Sequence, residues 1–127
     1  MATILVIDDD APVRAALRRI LERASYTVMV AADGRAGMRL HRERPADLII
    51  TDIFMPGQDG IETIRQLRHE GPAVPILAIS GGDQTGAVDL GEGAALLGAS
   101  QTLRKPFELA ELLAAVGDLL EKAPPGG

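Results

Sequence analysis

Short, mostly apolar segments alternate along the chain with longer segments whose apolar residues recur at helical spacing. The candidate strands lie at 3–7, 26–31, 48–51, 76–79 and 101–104. The first of these is too uniformly apolar for a strand with one face in water, and such runs are typical of parallel sheets covered on both faces. The alternation therefore predicts repeated β-α units and an α/β fold.

The helical segments differ in how strongly the sequence supports them. They lie at about 12–24, 35–43, 60–70, 84–97 and 109–120. The first and last carry long apolar stripes, and Pro12 lies where the first turn of a helix tolerates proline. The segment at 84–97 contains Gly86, Gly91 and Gly93, each of which weakens a helix by about 1 kcal/mol relative to alanine. We therefore expect this fourth helix to be loosely held.

The composition narrows the class of protein. The chain has 127 residues, 46% hydrophobic and 24% charged, and no cysteine, which fits one globular domain without disulfides or thiolate metal sites. Its net charge of −5 argues against a nucleic-acid surface, and no apolar run is long enough for a signal peptide or a membrane span. We predict one cytoplasmic domain over 1–122 and a flexible tail at 123–127.

Chemically active residues follow the predicted strands. Asp8 and Asp9 follow the first strand, Asp52 the third, Ser80 the fourth and Lys105 the fifth. In a parallel sheet the carboxyl ends of all strands lie at one edge, where such folds place their ligands. We therefore expect these side chains to converge.

Three carboxylates brought together repel one another unless a cation joins them. Oxygen ligands with room for water suit Mg²⁺, and a lysine across the site would bind an anion. A metal, a carboxylate and an ammonium group together can receive a phosphoryl group, and a carboxylate can itself be the nucleophile.

Four sequence blocks carry a family resemblance that covers essentially the whole chain. The blocks are Ile4–Asp10, Asp52–Gly60, Ile79-Ser80 and Lys105–Phe107. In this order and spacing they resemble a response-regulator receiver domain of the chemotaxis-regulator type. The resemblance implies a doubly wound, five-stranded parallel sheet of order 2-1-3-4-5 with five flanking helices, the flavodoxin-like receiver fold.

The resemblance also implies a role for each acidic residue. Asp52 corresponds to the phosphoacceptor. Asp9 and Asp52 would ligate Mg²⁺ directly, with the backbone carbonyl of Phe54 as a third protein ligand, and Asp8 would act mainly through a bound water.

Two further residues correspond to the family's phosphoryl-binding groups. Lys105 would pair with the phosphoryl oxygens, and its bond to Pro106 is expected to be cis. Ser80 corresponds to a hydroxyl residue that moves to hydrogen-bond the phosphoryl group. This movement would shift the region around the fourth strand and the helix after it between two conformations.

The chain departs from the family pattern at three positions. Thr102 stands where the family often has an aromatic residue that swings inward on activation. We therefore expect the helix at 84–97 to carry more of the conformational change on activation. Phe54 and Gly82 stand where relatives often have polar side chains, and neither side chain can orient an attacking water. We therefore predict slow self-dephosphorylation.

Each block alone has a structural explanation. The run Asp8–Asp10 fits an acidic helix start, favoured by the helix dipole. Asp52 alone fits a turn cap, Ser80 with its following glycines fits a turn, and Lys105 alone fits a solvated charge. These explanations do not account for four blocks at the ends of four strands.

Two other functions compete with the receiver interpretation. A Mg²⁺-dependent phosphohydrolase with an aspartate nucleophile would need a second acid at position 54 and a substrate-covering cap, and the chain has Phe54 and no length for a cap. A receiver-like module that works without phosphorylation predicts loss of an acid or of the lysine, and all are present.

As a receiver, the protein would be an enzyme only toward its own phosphorylation and dephosphorylation. The implied partners are a sensor histidine kinase or phosphotransfer protein, docking near Arg14, Leu17 and Arg18 on the first helix, and a downstream protein target. The implied target surface is the face formed by the fourth helix, the fifth strand and the last helix. We expect no direct contact with nucleic acid and no membrane insertion.

Overall fold

The chain folds into a parallel sheet flanked by helices. The computed structural model describes residues 2–52, 60–70, 74–80, 99–104 and 107–122. The strands are β1 (Thr3–Ile7), β2 (Thr27–Ala31), β3 (Leu48–Asp52), β4 (Ile76–Ser80) and β5 (Gln101–Arg104). The helices in these ranges are α1 (Ala11–Arg23), α2 (Gly34–Glu43), α3 (Gly60–Glu70) and α4 (Leu109–Lys122). The helix predicted at 84–97 and the tail predicted at 123–127 lie outside the described residues.

All five strands run parallel in the order β2-β1-β3-β4-β5, which confirms the predicted fold class. Ile7 at the end of β1 pairs with Ala31 on one side and Thr51 on the other. Because β1 and β3 are neighbours, the residues that follow Ile7 and Thr51 emerge side by side at the carboxyl edge of the sheet.

Apolar side chains cover both faces of the sheet. Leu5, Ile7 and Ile49 pack toward α2 and α3, whereas Ile4 and Val6 pack toward α1 and α4. Every apolar residue of β1 from Ile4 onward is fully buried, which explains why this strand lacks the apolar-polar alternation of a half-exposed strand. Among the described helices, none has the length and apolar character needed to cross a membrane.

Three strand boundaries differ from the sequence prediction by one residue: the start of β2, the end of β3 and the end of β4, which extends to Ser80. β2 begins at Thr27 because the Tyr26 N–H still donates to Leu21 O at the end of α1, at 3.1 Å. The turn before it places Ser25 at a φ of 75°, a left-handed conformation that is uncommon for serine. β3 extends to Asp52, which pairs with Ile79 of β4, so the predicted site residue is the last residue of the strand and not the first residue of the loop.

Helix α2 lies unusually close to β1 at Gly37. A Cβ added to Gly37 would lie 2.7 Å from Cγ1 of Ile7, and closer still to its Cδ1. Ile7 is fully buried and immediately precedes Asp8. The glycine therefore lets α2 pack against the strand end that carries the acidic residues.

We expect Gly37→Ala to lower the free energy of unfolding by about 1–3 kcal/mol, because the added methyl group overpacks the core at Ile7. Gly117→Ala in α4 is the matched control, since a Cβ there meets nothing within 4 Å. Alanine is the better helix former, so the control is expected to stabilise the protein by up to about 1 kcal/mol. Urea unfolding followed by circular dichroism measures the free energy of unfolding of both variants. Equal changes in the two would contradict the close approach of α2 to β1 at Gly37.

The loop from α2 to β3 is held by a histidine. The Ala46 N–H donates to Nδ1 of His41 at 3.0 Å, so this nitrogen is an acceptor and the imidazole is neutral. Burial lowers the pKa of His41 from its ordinary value, and the Glu70 carboxylate raises it by a smaller amount. Protonation at Nδ1 would place two donors against each other and break the hydrogen bond.

We expect the free energy of unfolding to fall as the pH is lowered through the range near 6.5, the ordinary pKa of histidine. The unfolded chain binds a proton more readily than the folded one, so the contribution of His41 is present above this value and is lost as the pH falls through the folded pKa. His41→Gln can still accept a hydrogen bond from the Ala46 N–H but does not titrate. It is therefore expected to flatten the dependence of the free energy of unfolding on pH. The matched change at the exposed His69, His69→Gln, is expected to leave it as in the parent, and equal flattening by both would contradict the assignment.

Candidate metal and phosphoryl site

The turn after β1 places Asp8 in a buried position. Its N–H donates to Ala31 O at 3.1 Å, which continues the β1–β2 ladder by one residue. One carboxylate oxygen, Oδ1, accepts from the Asp10 N–H at 2.9 Å. Only 1% of Asp8 is exposed, and the hydrogen bond from Asp10 holds its carboxylate beside the sheet edge.

Asp10 caps the N-terminus of helix α1. It has extended backbone angles, and its side chain accepts from the Val13 N–H at 3.2 Å, the usual geometry of a helix N-cap. The alternative interpretation of the acidic run as a helix start is therefore correct for Asp10, whereas the Asp8 carboxylate lies at the sheet edge.

Asp52 completes the acidic group from the neighbouring strand. It ends β3 with 6% of its surface exposed, and Thr51 Oγ1 donates to its backbone carbonyl at 3.2 Å. One carboxylate oxygen from each of Asp8, Asp9 and Asp52 lies within 4.8 Å of the other two. The structure thus brings together the three acids that the sequence predicted to converge.

The three carboxylates form a site suited to a hard cation. At this separation two negative charges repel by about 1 kcal/mol in water and by about 3–4 kcal/mol at the effective dielectric near a protein surface. Asp9 is exposed whereas Asp8 and Asp52 are buried, so the group opens to solvent on one side. Carboxylate oxygens with access for water are the ligands that Mg²⁺ prefers, and the residues present fit that ion.

An arginine that sequence reasoning assigned only to a docking surface also contacts this site. Arg14 Nη1 donates to the backbone carbonyl of Asp8 at 2.7 Å. Its own N–H donates to Asp10 O at 2.9 Å within the first turn of α1. The only sign of this contact in the sequence was the position of Arg14, about one turn into the helix that follows the acidic run. An arginine at that position also fits a solvated helix face.

The other predicted site residues are described only in part. Ser80 is the last residue of β4 and pairs with Arg104 of β5, so Lys105 directly follows the residue opposite Ser80. The Ser80 side chain, Lys105 and Phe54 lie outside what the structure describes. Thr102 pairs with Ala78 and is half-buried.

The family described as "Response regulator receiver domain" matches residues 4–117, which is most of the chain. The chain belongs to the response-regulator receiver family. This confirms the resemblance carried by the four sequence blocks, and it places the protein among the signalling domains of two-component systems.

Curated relatives and solved structures agree with this membership. The receiver is 42% identical over 122 residues to Response regulator MprA of Mycolicibacterium vanbaalenii, and 42% over 123 residues to MprA of Mycobacterium leprae. These matches cover 96% of this chain and 52% of each relative, so the chain spans about half the length of the curated relatives it matches.

Two solved structures show the same fold over nearly the whole receiver. A response regulator receiver domain protein from Clostridium thermocellum has a TM-score of 0.87 and 28% identity, covering 96% of each chain. The chemotaxis protein CheY4 of Vibrio cholerae has a TM-score of 0.84 and 29% identity, covering 94% of this chain and 98% of its own.

We expect Asp9→Asn to raise the free energy of unfolding by about 1 kcal/mol in the absence of divalent cations, because it removes one of three mutually repelling charges. Asp10→Asn is the control. It removes the same charge outside the cluster and leaves a residue that caps helices equally well. Denaturant unfolding in EDTA at low ionic strength measures the difference, and equal responses would show that the cluster carries no excess repulsion.

Proposed function

We propose that this receiver accepts a phosphoryl group on Asp52 from a phosphohistidine donor and thereby switches its binding to a downstream protein. The observation that carries the proposal is the convergence of three carboxylates within 4.8 Å, with Asp52 at the end of its strand. Family membership supplies the reaction class, and the acidic group supplies the chemistry that the reaction needs.

In the proposed reaction a carboxylate oxygen of Asp52 attacks the phosphorus atom of the donor. The new oxygen–phosphorus bond gives an aspartyl phosphate, while the bond from phosphorus to the donor's imidazole nitrogen breaks and that nitrogen takes up a proton. The position of Asp52 at the end of β3 holds the nucleophile at a fixed place, so positioning contributes much of the rate. Magnesium, when bound, would supply positive charge to offset the carboxylates and the phosphoryl oxygens.

The remaining site residues complete the proposal by their place in the sequence. Asp8 and Asp9, with the backbone carbonyl of Phe54, would hold the cation together with Asp52. Lys105 would bind the phosphoryl oxygens, and Ser80 would hydrogen-bond them and pass the change to the residues that follow β4. Because Phe54 cannot orient a water molecule, we propose that the phosphorylated form decays slowly.

The receiver interpretation has more support than its competitors. A phosphohydrolase would need a second acid at position 54, where this chain has Phe54. A module that works without phosphorylation has no need to hold Asp8 and Asp52 together at buried positions against their repulsion. We propose that the only reactions it catalyses are its own phosphorylation and dephosphorylation, in the cytoplasm.

We further propose that a sensor histidine kinase or phosphotransfer protein docks beside α1. Arg18 and Arg19 are exposed on this helix and line a shallow cavity of about 430 Å³ with Val30 of β2. Leu17, which the sequence analysis placed on the docking side, is 3% exposed and packs in the core. Its assignment to the docking surface was wrong, because the residue faces the sheet.

We expect incubation with acetyl phosphate and magnesium to add one phosphoryl group to the parent protein and none to Asp52→Asn, measured by intact mass. Asp10→Asn is the control, since it removes a nearby carboxylate that caps α1, and it should be phosphorylated like the parent. An adduct on Asp52→Asn would place the nucleophile elsewhere. No adduct on the parent, repeated with a phosphohistidine donor, would favour the module that works without phosphorylation.

A further inference from the structure

We propose that Arg14 is a positioning residue for the cation site, acting through the backbone between Asp8 and Asp9. This inference rests on the proposed function, since it assigns a residue that supports the same acidic group. The hydrogen bond from Arg14 Nη1 to Asp8 O, at 2.7 Å, carries it.

The carbonyl of Asp8 belongs to the peptide group that joins Asp8 to Asp9. Because a peptide group is planar, a hydrogen bond to this carbonyl constrains the orientation of the whole unit and of both carboxylate-bearing residues. Arg14 is itself anchored, since its N–H donates to Asp10 O at 2.9 Å. The guanidinium therefore links the first turn of α1 to the turn that presents the two acids.

Two other hydrogen bonds hold this turn. The Asp8 N–H donates to Ala31 O, and Asp8 Oδ1 accepts from the Asp10 N–H. The Arg14 contact adds a restraint on the Asp8 carbonyl. It uses a backbone oxygen, so it takes up none of the carboxylate oxygens that would ligate the cation.

Arg14 would influence cation binding in two opposite ways. Its positive charge repels a cation, so removing the charge alone would tighten binding. Its hydrogen bond holds the ligands in place, and loss of a partner that orients metal ligands typically weakens metal affinity by about 10- to 100-fold. Arg14 contacts Asp8 directly, well within the screening length of about 8 Å at physiological ionic strength, so salt does not remove this repulsion. We expect the positioning effect to exceed it, because the hydrogen bond constrains the peptide group that joins two of the ligands, and Arg14→Lys, which keeps the charge, separates the two effects.

The test measures the Kd for MgCl₂ by isothermal titration calorimetry on the parent and on Arg14→Gln, Arg14→Lys and Arg18→Gln. Arg18 lies one turn further along α1, is exposed and pairs with Glu22 at 3.3 Å, so Arg18→Gln controls for the loss of one positive charge. Unfolding of each protein in EDTA shows whether the fold itself is affected. Arg14→Lys keeps the charge and gives a folded comparison if Arg14→Gln does not fold.

The expected result is a Kd for magnesium about three- to tenfold weaker in Arg14→Gln, with a smaller loss in Arg14→Lys and no loss in Arg18→Gln. Tighter binding by Arg14→Gln would overturn the inference, because it would mean that charge repulsion is the whole effect. An unchanged Kd in both Arg14 variants, or an equal loss in Arg18→Gln, would also overturn it. No magnesium binding by the parent would instead overturn the metal site of the proposed function.

Discussion

Repulsion between three carboxylates is the constraint on which the carboxyl edge of this sheet depends. Asp8 and Asp52 are buried, and with Asp9 they bring three ligand oxygens within 4.8 Å of one another. Repulsion of about 1–4 kcal/mol per pair is a large fraction of the 5–15 kcal/mol by which domains are usually stable. The fold must therefore hold these groups together with interactions made elsewhere.

The interactions that hold them are those of the central strands. β1 and β3 are neighbours with apolar residues covered on both faces, so neither strand can shift without exposing core side chains. At the strand ends the Asp8 N–H extends the ladder to β2, and Gly37 lets α2 press against Ile7. A rigid core thus determines the spacing of the charges, and their convergence in turn creates a place for a cation.

Sequence patterns predicted the architecture and the acidic group because both depend on rules of strand order and burial. Five segments with strand character, and charged residues at their ends, were enough to place Asp8, Asp9 and Asp52 at one edge. The close approach at Gly37 and the Arg14 contact could not be predicted, because each depends on three-dimensional distances between elements. The error at Leu17 has a different cause, because the helical spacing of the apolar residues in α1 already indicated that Leu17 lies on the buried side, and its assignment to the docking surface did not follow that pattern.

The position of the three acids along the chain has a consequence for synthesis on the ribosome. All three lie within the first 52 residues of the sequence, whereas β4 and β5 end at Ser80 and Arg104. At about 5–20 residues per second, Asp52 is made roughly 1–6 s before β4 is complete. During that interval β3 is an apolar edge strand without its β4 partner, and such edges are prone to aggregate. The nascent chain thus carries the repelling acids before the second half of the sheet exists to hold them.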